Sequence, residues 1–541
     1  MKLRPILSVC LAGMALGVFA QNTSDGVQYY KADQFENAKE LLQRNRSGAN
    51  QAESDFYLGL IALREGNGAE AAKLFNEGAQ LDPEYAYNYI GLGAIELQNN
   101  NLKVAENLFK DASNKGKKDA SVQVAIARSY YNADPVKYEK DIEKYLEKAR
   151  KINMEEADIY IFEGDRKYDK KDWGGAAGQY EMGANYEPSA AEAYVKYANL
   201  FTKVNQQYAI DMLSKLLQLN PNSALAQREL ANAYYNAGKY TDAAKSYGQY
   251  VQNPNHFKQD EDRYAFLLFY GGDYQKGYDY ASQLLAQNPD NFTAQRFQFM
   301  NAAQIPAMKD SMLSLAEKIW AAHVANPNKN KFSTIDYNLI AEELQGAKRH
   351  DEAIAVLNEG IEKSPENADF NKRIAMIHVD TGNIAAAADE FAKYIAKLEN
   401  PGFNDYNQQA TFDYYAGVAA KDSNPEASKK YLDDAVAYAK KADEAAPGYY
   451  QPKKIMGDVA ILRASADKAA SAAAPFYQEA WDLLIKSNDP SRYTRDAKTI
   501  YNYLGNYYLG LGDKAKAKTY FINYKQFDPN NTEYAKFVES L

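Results

Sequence analysis

Apolar and small residues recur along the chain with a spacing of 34 residues. The clearest instance lies within 52–112, where two successive windows carry the same four residue types in the same order. The two sets are Leu58, Gly59, Ala71 and Phe75, and Leu92, Gly93, Ala105 and Phe109. A fixed period of this length is typical of a solenoid, in which each unit buries its apolar side against the next one.

Each window predicts two helices joined by a turn. Apolar residues at helical spacing within 56–63 predict the first helix, 66–68 is a glycine-rich turn, and 71–79 predicts the second helix. A glycine inside a helix costs about 0.5–1 kcal/mol relative to alanine. We therefore expect Gly59 to permit a close approach of the second helix, with Phe75 filling the remaining gap.

Variants of this pattern cover nearly the whole chain. Besides the two windows above, copies are predicted at 23–46, 119–152, 156–188, 190–221, 223–254, 259–289, 292–323, 341–365, 375–391, 411–447, 451–484 and 504–529. The copy at 119–152 is strained, because its second half is a long charged run. A first, degenerate copy with a clipped first helix suits a terminal capping unit.

The pattern resembles the tetratricopeptide repeat. The shared features are a small residue in mid first helix, an alanine early in the second, an aromatic residue four positions later and a terminal proline. Lys117, which stands where the second window would end in proline, is a departure. The resemblance implies an all-α fold, a right-handed superhelical solenoid of antiparallel helix pairs. We predict an N-terminal array at 21–324, a polar joint at 325–332 and a C-terminal array at 333–541.

The first twenty residues predict a signal peptide at 1–20. Lys2 and Arg4 precede an apolar run that ends before small residues suited to cleavage after Ala20, and the run is shorter than the ~20 residues of a membrane span. A lipoprotein with acylated Cys10 is an alternative, but the apolar run continues well past that cysteine. We expect export to the periplasm, with outer-membrane association or an extracellular location left open.

Net charge and hydropathy argue against two classes of partner, nucleic acid and the interior of a membrane. The formal net charge is −9 and becomes −11 when Lys2 and Arg4 leave with the leader. An acidic chain without a basic stripe argues against nucleic acid. No later apolar run reaches spanning length, so no direct membrane span is predicted.

The sequence has no recognisable pattern of catalytic, metal-binding or cofactor-binding residues. The four histidines lack zinc-ligand spacing, and the single cysteine lies in the leader. The histidines are His256, His323, His350 and His378. Neither a nucleophile motif nor a phosphate-binding glycine loop is present. We predict no enzymatic activity, no metal site and no cofactor.

The resemblance to tetratricopeptide repeats implies a binding groove lined by the first helices. Its groove positions in the copy at 223–254 fall on Arg228, Asn232 and Tyr235, and Arg263 of the next copy adds to them. The Arg-Asn pair is similar to a clamp for a partner's C-terminal carboxylate, although the clamp's other lysine and asparagine are missing from the neighbouring copies. We expect Arg228→Ala to weaken binding without affecting folding.

Three functional hypotheses follow. The preferred one is a non-catalytic extracytoplasmic scaffold for a protein or peptide partner of the cell envelope. The alternative is a protein that binds a glycan or envelope polymer, which a polysaccharide affinity gel would test. Against this alternative, the chain has only three tryptophans, far apart in the sequence, whereas saccharide sites usually stack several aromatic residues. An enzyme with its site in the hollow of the solenoid is the third and weakest hypothesis.

Overall fold

The structure is a computed structural model that describes residues 25–465, 468–486, 490–524, 526–528 and 539. The predicted leader at 1–20 lies outside these residues. Within the described residues the regular structure is helical, without a strand, as the predicted all-α solenoid requires. The chain divides into two units, the first ending at Ile305 and the second beginning at Pro306.

The first unit consists of helix hairpins in the predicted register. Its helices are α1 (25–31), α2 (Phe35–Arg44), α3 (Gln51–Arg64), α4 (Gly68–Leu81), α5 (Ala86–Gln98), α6 (Leu102–Lys115), α7 (Ala120–Ala133), α8 (Glu139–Ile152), α9 (Ala157–Asp169), α10 (Trp173–Tyr186), α11 (Ala191–Phe201), α12 (Gln206–Leu219), α13 (Ala224–Asn236), α14 (Tyr240–Tyr250), α15 (Glu261–Tyr270), α16 (Tyr274–Gln287) and α17 (Phe292–Ala302). Each odd-numbered helix up to α15 pairs with the even-numbered helix that follows. First helices of successive hairpins also contact each other, as α3 does α5 and α5 does α7, so they form the inner wall of the unit.

The second unit repeats this organisation after one leading helix. Its helices are α18 (Met312–Ala325), α19 (Thr334–Gly346), α20 (His350–Lys363), α21 (Ala368–Asp380), α22 (Ile384–Lys397), α23 (Phe403–Ala420), α24 (Pro425–Ala445), α25 (Gln451–Arg463), α26 (Ala469–Leu484), α27 (Thr494–Gly510) and α28 (Lys514–Tyr524). The strained copy at 119–152 in the first unit is a regular hairpin, because its charged run still buries Ile142, Leu146 and Ala149 on one side of α8.

The polar segment 325–332, predicted as the joint between two arrays, lies inside the second unit and not at its edge. The His323 ring stacks on the Phe332 ring with centroids 4.1 Å apart. The side-chain amide of Asn330 donates to the carbonyl oxygen of Ala322 at 2.6 Å. These contacts tie the segment to the end of α18, and the division between the units falls earlier, at Pro306.

Glycines in the first helices set how closely each hairpin closes. A Cβ atom on Gly59 would overlap the ring of Phe75, and one on Gly91 of the next hairpin would overlap the same ring. Phe75 is fully buried between the two helices. The predicted pairing of Gly59 with Phe75 is present, and the ring also joins one hairpin to the next.

The first unit departs from the nearest-neighbour stacking of a simple solenoid. One hydrophobic core contains residues of α1 to α4 together with residues of α9 to α15, whereas α5 to α8 supply most of a second core. The ring centroid of Tyr29 in α1 lies 5.3 Å from that of Phe257, just before α15. The start of the unit therefore packs against its later hairpins.

A buried carboxyl group makes the stability of the second unit depend on pH. Asp413 in α23 is 3% exposed and accepts a hydrogen bond from the side-chain amide of Gln409 at 3.0 Å. Burial raises its pKa to about 7, the amide of Gln409 opposes this, and nearby Asp434 and Asp389 raise it further.

We predict that the Asp413→Asn variant is less sensitive to pH than the parent. Because the folded-state pKa is raised, the contribution of Asp413 is fully present below its ordinary pKa and is lost as the pH rises through about 7. The parent should therefore lose on the order of 1 kcal/mol of unfolding free energy from pH 6 to pH 8 that the variant keeps. Denaturant unfolding at each pH measures this difference. Asp433→Asn is the control, since the pKa of Asp433 is lowered by Lys429 and Arg463; equal pH slopes for Asp413→Asn and the parent would contradict the assignment.

We predict that Gly59→Ala destabilises the first unit by about 1–3 kcal/mol, because the added methyl group overpacks the contact with Phe75. Gly178 in the middle of α10 is the matched control, since a Cβ atom there meets nothing within 4 Å. Gly178→Ala should stabilise by about 0.5–1 kcal/mol through helix propensity alone. Thermal unfolding followed by circular dichroism compares the two, and a shift of the same sign for both would refute the packing argument.

Candidate functional site

The structure brings two of the four predicted groove residues together. The guanidinium carbon of Arg263 lies 4.9 Å from the ring centroid of Tyr235, and Arg263 is exposed. Asn232 is half-buried and hydrogen-bonds to the carboxyl group of Glu229. Arg228 makes a different set of contacts, deeper in the unit.

Arg228 is bound within its own chain. Its Nε donates to Asp260 Oδ2 at 2.7 Å, and its Nη1 donates to Gln34 Oε1 at 3.2 Å. Burial lowers the pKa of Arg228, but the bonded carboxylate of Asp260 outweighs it and raises the pKa above its ordinary value. Because Asp260 is itself buried, removal of Arg228 would leave a buried charge unpaired. The expectation that Arg228→Ala leaves folding unaffected is therefore corrected.

Gln34 belongs to the N-terminal hairpin, which we define as residues 25–44. This hairpin lies against the inner wall formed by α9, α11 and α13 and against the loop before α15. Its polar contacts there pair Asp25 with Asn255, Gln28 with Ser223, Lys31 with Asp158 and Glu192, Asp33 with Lys196, and Gln34 with Glu229 and Arg228. The chain's own hairpin thus occupies the place where a partner's peptide was expected.

The ion pairs of Lys31 fix α1 in this position. Its Nζ lies 3.3 Å from Asp158 Oδ1 and 3.3 Å from Glu192 Oε1. Burial alone would lower the pKa of Lys31, but these two carboxylates outweigh it and hold the pKa above its ordinary value. The Lys31 side chain is 34% exposed, whereas that of Glu192 is 6% exposed, so loss of Lys31 would leave a buried carboxylate without its cation. Charge as well as apolar packing therefore holds the hairpin.

The inner wall of the second unit has an open surface on α27, which we call the α27 face. It borders a hollow of about 720 Å³ between α26 and α27. Its residues are Ser471, Thr499, Asn502, Tyr503, Asn506, Tyr507, Gly510 and Leu511. The side chain of Asn506 is exposed and forms no hydrogen bond with any described residue. A polar and aromatic face of this kind suits an extended peptide, whose backbone needs donors and acceptors.

A further surface runs along the hairpin turns of the first unit and was missed in the sequence. At four successive turns an aromatic residue near the end of the first helix contacts one near the start of the second, at centroid distances of 4.9, 5.4, 5.7 and 5.9 Å. The pairs are Tyr168 and Trp173, Phe201 and Tyr208, Tyr235 and Tyr240, and Phe269 and Tyr274. Trp173 and Tyr208 are each 50% exposed. We call these eight residues the aromatic row.

Two of the four histidines, His256 and His323, bond to carboxylate groups of the protein. The Nε2 atom of buried His323 is 2.6 Å from Glu359 Oε1, and the Nε2 atom of His256 is 3.0 Å from Glu261 Oε1. Across the described residues no three His, Cys, Asp or Glu side chains converge to hold a metal ion. Of the helices in the described ranges, none combines the length and hydropathy that a membrane crossing requires.

Comparisons with known proteins agree with this repeat architecture. Two family models, both described as tetratricopeptide repeat, match the chain, one at 62–128 and the other at 26–86, 207–256 and 338–400. A search of curated proteins finds none that matches.

Similar solved structures include the C-terminal part of a TPR repeat-containing protein from Cytophaga hutchinsonii, with 17% identity, a TM-score of 0.40 and coverage of 51% of this chain and 98% of that one. A tetratricopeptide repeat protein from Parabacteroides merdae has 17% identity, a TM-score of 0.33 and coverage of 50% and 98%. Yeast Tom70 has 14% identity, a TM-score of 0.28 and coverage of 93% and 99%.

Repeats of this family are typical of scaffolds for protein–protein interaction. The family models match stretches of both units, and the helix hairpins follow the 34-residue register that the sequence predicts. The chain contains tetratricopeptide repeats in both units.

Proposed function

We propose that the protein is a non-catalytic, exported scaffold that binds a protein or peptide partner of the cell envelope through the α27 face. The observation that carries the proposal is the exposed amide of Asn506, which no described residue pairs with, beside the aromatic rings of Tyr503 and Tyr507 over an open hollow. Tyrosine supplies a large contact area at low entropic cost, and the amide can pair with a peptide backbone. The leader pattern at 1–20 supports export to the periplasm.

The predicted groove residues of α13 play a different part in this proposal. Arg228 joins the N-terminal hairpin to Asp260, and Asn232 supports Glu229, the acceptor for Gln34. The inner wall at α13 therefore holds the chain's own hairpin. Tyr235 and Arg263 lie beside this contact, and Tyr235 is part of the aromatic row, which could extend a partner's contact on the first unit.

The aromatic row also favours the alternative function, binding of a glycan or envelope polymer. The three tryptophans of the chain lie far apart in the sequence. The structure instead repeats an aromatic pair at successive hairpin turns, and Trp173 belongs to one of these pairs. Tyrosine and tryptophan have an apolar ring and a polar group, so they suit a surface that contacts both a ligand and water.

We predict that Asn506→Ala lowers capture of the partner about tenfold, because truncation of a central interface residue costs on the order of 1–2 kcal/mol. Capture is measured by crosslinking in intact cells, followed by purification from the periplasmic fraction and quantitative mass spectrometry. Asn107→Ala, at an exposed position of the outer helix α6, is the matched control. Equal capture by both variants would exclude the α27 face. Retardation of the parent in a polysaccharide gel, without any captured protein, would support the glycan alternative instead.

We predict that Arg228→Ala destabilises the first unit by about 3 kcal/mol, because it leaves Asp260 buried without its cation. Arg263→Ala on the next first helix is the control and should change stability by less than about 0.5 kcal/mol, since Arg263 is exposed. Hydrogen exchange of 25–34 should speed up in Arg228→Ala only, because Gln34 loses one of its anchors. Equal denaturation midpoints for the two variants would show that Arg228 does not hold the hairpin.

A further inference from the structure

The N-terminal hairpin does not fill the inner space of the first unit completely. A cavity of about 210 Å³ remains between the hairpin and the inner wall formed by α3, α5, α7 and α9. A single water molecule needs a cavity of only about 10–15 Å³. The cavity therefore has room for a small organic molecule.

One side of the cavity is aromatic and carries hydroxyl groups without partners. The rings of Tyr30 and Tyr57 have centroids 5.0 Å apart, and Phe56 connects Tyr57 to Tyr87 at 5.0 and 5.3 Å. Among the described residues, the hydroxyl groups of these three tyrosines form no hydrogen bond. Burial raises the pKa of all three, in Tyr30 to about 12, so each hydroxyl keeps its proton and can donate.

Three cations and three carboxylates line the cavity, and Arg64 is the lining cation that forms no ion pair with a described residue. Lys31 pairs with Asp158 and Glu192, Asp33 pairs with Lys196, and the Nη1 atom of Arg128 lies 2.6 Å from Asp165. Arg64 forms no ion pair within the described part of the chain, and its guanidinium carbon lies 4.2 Å from the centroid of the Phe35 ring. Since Arg64 is exposed, it stands where the cavity opens to solvent.

We propose that this cavity binds a small organic acid that carries one carboxylate and further oxygen acceptors. The carboxylate pairs with the guanidinium of Arg64, which presents donors in the fork that a carboxylate accepts. Hydroxyl or carbonyl oxygens of the ligand accept hydrogen bonds from the tyrosine hydroxyls, and its carbon skeleton packs against the rings. A phosphate dianion is disfavoured, because a second unpaired cation is missing from the described lining.

The site exists only while the N-terminal hairpin is docked. Tyr30, Lys31 and Phe35 come from the hairpin, whereas Tyr57, Arg64 and Tyr87 come from α3 and α5. A ligand that contacts both sides binds the docked state alone, and it must therefore stabilise that state. Ligand binding is thereby linked to the closure of the first unit and is independent of the α27 face.

Isothermal titration calorimetry with the full chain tests the proposal. The probes are acid and alcohol pairs that differ only in the carboxylate: glucuronate and glucose, lactate and propane-1,2-diol, and 4-hydroxybenzoate and 4-hydroxybenzyl alcohol. We expect at least one acid to bind, and to bind about tenfold or more tightly than its alcohol, as a charge-assisted pair provides. Saturating acid should also slow hydrogen exchange of 25–34. If none of the acids binds at millimolar concentration, the proposal is overturned.

Substitutions of cavity residues test whether the acid binds in this cavity. Arg64→Met should abolish the preference for the acid, Arg64→Lys should restore part of it, and Tyr57→Phe should weaken an acid and its alcohol alike. Arg44→Met, at an exposed position on the outer helix α2, is the matched control and should bind as the parent does. Retention of the acid preference in Arg64→Met would overturn the assignment. Asn506→Ala should leave acid binding unchanged, so this proposal and that for the α27 face fail separately.

Discussion

The absence of a side chain at one position of the first helix determines how each hairpin packs. At Gly59 the missing Cβ atom lets the ring of Phe75 lie directly on the helix backbone, and the same ring meets Gly91 of the next hairpin. Equivalent contacts join Gly93 to Phe109 and Gly505 to Phe521. The ring of Phe75 thereby packs the two helices of its own hairpin together and also packs that hairpin against the next one. This packing explains why glycine recurs in the first helices although it lowers helix stability.

The inner walls of the two units differ in what they contact. In the first unit the wall holds the N-terminal hairpin through partly buried ion pairs such as that of Lys31 with Asp158. In the second unit the α27 face presents exposed polar groups. Binding energy within a repeat array is distributed over many contacts, so a wall that already carries an internal segment has fewer groups left for a partner. The same docking creates the cavity beside Arg64, which an open solenoid would lack.

Much of the fold could be predicted from the sequence, because its signals are local. The spacing of Gly59, Ala71 and Phe75 is sufficient to place a hairpin. The docking of the N-terminal hairpin could not be predicted, since Asp25 and Lys31 look like solvated residues and their partners lie far along the chain. For that reason Arg228 was assigned to an open groove. The aromatic row had a usable signal, an aromatic residue on each side of a turn, as at Tyr235 and Tyr240.

Closure of the first unit by its own beginning also limits how this array can evolve. An ordinary solenoid gains or loses repeats by duplication or deletion, because each repeat depends only on its neighbours. Here Tyr29 must reach Phe257 and Asp25 must reach Asn255, so an inserted or deleted hairpin within α5 to α12 would carry these partners out of reach. The number of hairpins in this unit is therefore fixed by geometry.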